Sequence, residues 1–259
     1  EALVSGWLND IGSSDLLPIF LEHPYYDSFW EQINVETKYA EINVPTIFIG
    51  GWYDIFQDAT LNDFVGRQFH SAEGALGNQK LIMGPWTHVN ELSQNQGELK
   101  YPTDSMLSNE VTTTINWFDY WLKGANNTAM NEPAVQYYVM GDVTNSNAPG
   151  NEWRTSDHWP IIEQDTPLYL HADGYLSTVP AGSGTLDLKV DPAQPVPTKG
   201  GGNLDLPAGP YDQISLETRN DVLVFSTEPL VTPVEVTGRI HLTLYAESNL
   251  TDNDLTVRV

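Results

Sequence analysis

Apolar positions change their spacing along the chain, and the changes predict its elements. Pro45-Thr-Ile-Phe-Ile-Gly50 is a short β-branched run closed by Pro and Gly, which predicts a buried strand over residues 46–49. Leu61, Phe64, Val65 and Phe69 then recur at helical intervals with Asn62, Asp63 and Arg67 between them, predicting an amphipathic helix over 58–69. After turn-rich residues 73–78, the run Lys80-Leu-Ile-Met83 predicts a second strand that stops at Gly84-Pro85. Strand, helix and strand make one parallel crossover unit. Val111, Ile115, Phe118, Trp121 and Leu122 share one face of a helix expected over 109–123, with Gly124 as its stop, and that face is expected to cover the sheet. Residues 134–140 predict another strand, and the Asn-, Ser-, Pro- and Gly-rich loop 145–150 suggests a domain boundary near Gly150.

Beyond that boundary helical periodicity vanishes. Short strand-like runs at 168–171, 186–190, 222–226, 234–237 and 240–245 are separated by Pro and Gly turns, and Leu255, Val257 and Val259 alternate to the last residue. Such spacing predicts an antiparallel sandwich or jelly roll that the chain leaves incomplete. Residues 1–30 mix short apolar clusters with Gly, Pro and Asp and predict short helical pieces and loops. The fold class is therefore α/β plus all-β: residues 1–32 ending a preceding region, 33–150 the α/β part and 151–259 the β-rich domain.

Composition narrows the functions available. The 8 Trp, 12 Tyr and 8 Phe among 259 residues supply a core and argue against disorder. A net charge of −24 repels phosphate backbones and anionic headgroups, so neither nucleic acid nor a membrane surface is an expected partner. Acidic surfaces of this kind occur on salt-adapted and secreted proteins, which favours a secreted or periplasmic location over a cytoplasmic one. No Cys is present, so disulfides, thiolate metal sites and cysteine nucleophiles are excluded and the redox compartment stays undetermined. His23, His70, His158, His171 and His241 share no metal-ligand spacing, and no cofactor is implied. Lys199-Gly-Gly-Gly-Asn203 lacks the Gly-Lys-Ser/Thr step of a phosphate loop and is expected to be a plain loop; Asp252-Asn-Asp254 is expected to be a solvated turn.

Two residues share a chemically useful placement. Asp54 follows the first predicted strand and His88 the second, both at carboxyl ends, where loops of an open α/β sheet converge on ligands. Imidazole exchanges protons near neutral pH, and a carboxylate fixes its tautomer and stabilises the imidazolium. The order acid then base, across one helix, matches the last two members of an α/β-hydrolase triad. Trp52 and Trp86 beside them suit either a substrate-pocket wall or core packing.

The words around these residues are specific. Gly50-Gly-Trp-Tyr-Asp54-Ile-Phe56, Met83-Gly-Pro-Trp-Thr-His88 and His23-Pro-Tyr-Tyr-Asp-Ser-Phe-Trp30 closely resemble the acid, base and preceding segments of the X-prolyl dipeptidyl-peptidase, cocaine-esterase and α-amino-acid ester hydrolase superfamily. The likeness continues through Trp153-Arg154, Trp159-Pro160, Pro167-Leu-Tyr-Leu170, Gly209-Pro-Tyr-Asp-Gln213, Arg219-Asn-Asp-Val-Leu-Val-Phe-Ser-Thr-Glu-Pro-Leu230 and Val236-Thr-Gly238. It implies an α/β-hydrolase domain interrupted by a helical cap, whose end is residues 1–32, followed by a jelly-roll domain. It further implies Asp54 as triad acid and His88 as general base for a serine on a Gly-x-Ser elbow. No Gly-x-Ser-x-Gly occurs, and Gly182-Ser-Gly184 falls in the β-rich part. The nucleophile and the oxyanion hole are thus expected in an N-terminal part of the same protein, which becomes a required partner, and this polypeptide alone is expected to be inactive.

The α-amino-acid ester hydrolases place acidic residues two and three positions after the triad acid to hold a substrate ammonium, where this chain has Phe56 and Gln57. Phe56 resembles the cocaine-esterase arrangement, in which an aromatic packs on an acyl group. The expected substrate is a small neutral ester, amide or short peptide, while Asp58 keeps the ammonium reading open. A homo-oligomer is compatible with this reading. The rival is a non-catalytic jelly-roll ligand-binding module on a degenerate hydrolase scaffold, which has no physical need of Asp54 and His88.

Overall fold

The computed structural model describes residues 16–161, 165–204, 206–249 and 254–259. Two short helices, α1 (Leu16–Glu22) and α2 (Ser28–Ile33), open the described chain, and the Asp27 side chain caps α2 by accepting from Phe29 N. A 3-10 turn (Glu36–Glu41) leads into β1 (Ile47–Tyr53), α3 (Gln57–His70) and β2 (Lys80–Thr87). The two-residue strands β3 (Asn95–Gln96) and β4 (Leu99–Lys100) form a ribbon ahead of α4 (Glu110–Lys123), β5 (Val135–Val139) and β6 (Glu152–Ser156). Further on lie β7 (Tyr169–Leu170), β8 (Leu176–Ser177) and the single-turn α5 (Ile214–Glu217).

One four-stranded sheet, in the order β1-β2-β5-β6, organises the front half. Its first two junctions are parallel and the last is antiparallel. β2 lies inside it, buried at every residue but Thr87, as its continuous apolar run requires. Alternation along β2 divides the core. Leu81 and Met83 face Leu61 and Phe64 of α3, with Val135, Tyr137 and Trp159, whereas Ile82 and Trp86 face the other way with Leu107.

β2 runs past the expected stop at Gly84-Pro85, as far as Thr87. The last pair between β2 and β5 is Met83 with Tyr137, so Pro85 lies where β2 keeps only β1 as a neighbour and a missing N–H is tolerated. The register jumps there: Gly51 pairs with Gly84, but Tyr53 pairs with Thr87, which places an extra residue in β2. Gly51 permits this crowding, because a Cβ on it would lie 2.1 Å from the Trp86 carbonyl oxygen.

Gly124 stops α4 as expected, in a left-handed cap with φ 66°. The face of α4 expected to cover the sheet does not do so among the described residues. Val111, Ile115, Phe118 and Leu122 remain more than half exposed, and Trp117 is the buried residue. Helical spacing defines an apolar face without defining what lies opposite it.

The back half differs more. β7 and β8 form a two-stranded antiparallel pair, extended by a bridge from Tyr175 to Ser226. The expected strands at 186–190, 234–237 and 240–245 carry no ladder among the described residues. Alternation fixes which side chains share a face, but a strand also needs a neighbour's N–H and C=O groups. The expected boundary at Gly150 falls inside the β5–β6 hairpin, so the sheet continues across it to Ser156. Asp252 and Asn253 lie outside the described residues.

Candidate active site

Asp54 is the first residue after β1, and His88 the first after β2. Because the strands are parallel neighbours, both loops emerge at one edge of the sheet, and His88 Nδ1 lies 3.1 Å from Asp54 Oδ2. The other carboxylate oxygen, Oδ1, accepts from Phe56 N at 2.8 Å, which fixes the plane of the acid as the chain turns into α3. The Asp54 side chain is 15% exposed and that of His88 is 32% exposed, so the acid is sheltered and the imidazole is open on one side.

The surroundings contribute little extra charge. Tyr53, beside Asp54, hydrogen-bonds Tyr101, and burial pushes both phenols above their ordinary values, so both stay neutral near pH 7. Asp58, on the first turn of α3, is paired with Arg239 at 2.8 Å. Its carboxylate is therefore not a free anion beside the acid loop.

The residues expected to line a pocket separate into two groups. Phe56 is half exposed, with its ring edge-on to His88 at a centroid distance of 5.4 Å. Trp86 is 1% exposed, donates Nε1–H to the Ser105 carbonyl and packs on Trp153, so it has no face left for a ligand. Trp52 donates to the Tyr138 carbonyl at 2.8 Å and packs on Trp159. Both indole N–H groups are satisfied by backbone carbonyls; Trp86 is enclosed in the core, whereas Trp52 is partly buried against it.

Two contributors carried no signal as motifs. Gln96 is fully buried beneath the His88 loop and holds its backbone. The glycine loop after Lys199 packs on the acid turn: a Cβ on Gly202 would lie 3.1 Å from the Asp54 carbonyl oxygen. Apart from its lack of a phosphate-loop step, nothing in Lys199-Gly-Gly-Gly-Asn203 marks it, and it turns out to buttress the acid. Among the described residues no cluster of three or more His, Cys, Asp or Glu side chains could hold a metal, and no helix is long and apolar enough to cross a membrane.

Comparison with known proteins gives this geometry a family. Residues 7–90 match the X-Pro dipeptidyl-peptidase (S15 family) model, and residues 126–259 match the X-Pro dipeptidyl-peptidase C-terminal non-catalytic domain. Cocaine esterase of Rhodococcus sp. (strain MB1 Bresler) is 31% identical across 92% of this chain. The chain spans 42% of that esterase's length. Among solved structures, an α-amino acid ester hydrolase matches with a TM-score of 0.63 and 26% identity, over 89% of this chain and 39% of that one. An aminopeptidase from the marine sediment archaeon Thaumarchaeota archaeon matches with a TM-score of 0.64 and 27% identity, over 88% and 37%. These relatives agree with the mixed sheet and a C-terminal β domain. With one family model covering the strands that carry Asp54 and His88 and another covering more than half of the chain, the chain belongs to the X-prolyl dipeptidyl-peptidase and cocaine-esterase superfamily of serine hydrolases.

Proposed function

We propose that this chain supplies the acid and the base of a Ser-His-Asp triad that hydrolyses ester or amide bonds through an acyl-enzyme. The observation that carries the reading is the contact of 3.1 Å between Asp54 Oδ2 and His88 Nδ1, with Asp54 Oδ1 held by Phe56 N. In this mechanism the Nδ1–H donates to Asp54, which leaves Nε2 as the basic nitrogen. Nε2 removes the proton from a serine hydroxyl as its Oγ attacks the acyl carbon, and returns that proton to the departing alcohol or amine. Water then repeats the sequence and releases the acid. The serine belongs to a segment beyond these 259 residues, in keeping with the 42% of cocaine esterase that the chain spans. Residues 1–259 alone are then without turnover.

Neutral acyl groups are the substrate class that suits the site. Phe56 presents an aromatic edge next to His88, and Asp58, the acidic residue nearest in sequence to Asp54, is neutralised by Arg239. In the full-length protein the β-rich half completes a jelly roll that holds the Gly202 loop against the acid turn.

The test is turnover of a p-nitrophenyl ester by the full-length protein. His88→Ala is expected to lower kcat on the order of 10³-fold or more. Undiminished turnover in that variant overturns the assignment.

A further inference from the structure

Among the described residues the imidazole of His88 makes one side-chain hydrogen bond, to Asp54, and it is one-third exposed, so its aim depends on the backbone that carries it. That backbone is unusual. The next residue, Val89, has φ 52°, a left-handed conformation that a β-branched residue adopts only under constraint. Val89 is 80% exposed, so no packing of its own side chain imposes the conformation.

Beneath this turn lies Gln96, which is 0% exposed and hydrogen-bonded at both ends of its amide. Its Oε1 accepts from Thr87 N at 3.0 Å, Thr87 Oγ1 at 3.3 Å and Asn90 Nδ2 at 3.1 Å. Its Nε2 donates to the carbonyls of Asn90 and Ser93, each at 2.9 Å. The amide orientation follows from chemistry, because the flipped form would set NH2 against an N–H and O against two carbonyls. Thr87 and Asn90 flank the pair His88-Val89, so one side chain clamps the turn from both sides. Gln96 is itself held: the turn between β3 and β4 is fixed where Glu98 N donates to the Pro210 carbonyl at 2.9 Å and Asp212 N donates to Glu98 Oε2 at 2.9 Å.

We propose that Gln96 is the positioning residue of the general base, holding the strained Thr87–Asn90 turn so that Nδ1 of His88 stays on Asp54. This rests on the reading of His88 as base. The side-chain hydrogen bonds of Gln96 go to Thr87, Asn90 and Ser93, so its effect on catalysis passes through the backbone, and a small misplacement of a reacting group costs about 10²-fold.

The test uses the full-length protein, with a p-nitrophenyl ester for kinetics and the downfield imidazole N–H proton in NMR as the signature of the Asp54–His88 hydrogen bond, assigned by its loss in His88→Ala. Gln96→Leu keeps the volume and removes every bond to the turn; kcat is expected to fall about 30- to 100-fold with KM within about twofold, and the resonance to broaden or vanish. Asn90→Ala removes one arm of the clamp at a half-buried position; a fall of about three- to tenfold in kcat is expected, and this variant carries the test where Gln96→Leu does not fold. A wild-type kcat in Asn90→Ala, or a sharp resonance retained in folded Gln96→Leu, overturns the proposal. Turnover unchanged in His88→Ala overturns the base assignment itself and this inference with it.

Discussion

In the sheet-bearing half, Leu81, Met83 and Val135 are at most 1% exposed, whereas Leu242, Leu244 and Val257, which alternate as regularly, are 44%, 46% and 51% exposed. Both halves carry β-branched and apolar residues at strand spacing. They differ in what lies opposite: β2 has paired neighbours on both edges and a helix across one face, while residues 240–245 have no ladder among the described residues. Alternation therefore selects a face, and burial follows only where a second layer and a neighbouring strand accept it.

Substitutions can break or sharpen this contrast. Phe64 is 0% exposed and edge-on to Phe48 at 6.0 Å, so Phe64→Ala is expected to destabilise the folded state by about 3–5 kcal/mol in urea unfolding. A cost below about 1 kcal/mol would show that the front core is no tighter than the back half. Gly124→Ala, in the left-handed cap of α4, is expected to cost about 1–2 kcal/mol, an energy local to the turn and independent of which half is packed. Leu242→Ala is expected to change stability by less than about 0.5 kcal/mol, and the amides of 240–245 to exchange hydrogen far faster than those of Leu81 to Met83. Core-sized destabilisation by Leu242→Ala would erase the distinction.

The meeting of Asp54 and His88 was legible because each lies a few residues past an apolar run that the sequence marks as a strand. The residues between Gly50 and Asp54 and between Met83 and His88 are few, so placing the strands placed the loops. Strand pairing then needed only the short crossover through α3 that joins the two parallel neighbours. Trp52 and Trp86 were ambiguous for a different reason: an indole beside a functional residue looks the same in sequence whether its N–H faces a cleft or, as here, the carbonyls of Tyr138 and Ser105. Phe56 escaped that ambiguity by lying in the turn after the acid, where the chain leaves the core. Gln96 gave no signal at all, since an isolated amide eight residues after a histidine matches no spacing rule and its role exists only once the ribbon folds back under the turn.

By itself the sequence determined the parallel strand-helix-strand unit, the stop at Gly124, the carboxyl-end placement of Asp54 and His88 and, through its motifs, the family. These are local or nearest-neighbour properties, set by periodicity, turn chemistry and short connections. Tertiary structure decided the continuation of β2 through Pro85, the exposed stripe on α4, the burial of Trp86, the clamp by Gln96 and, among the described residues, the lack of ladders in 240–245. Each of those depends on what a residue meets across space, and hydrogen bonds and buried faces are completed by partners far away in the chain.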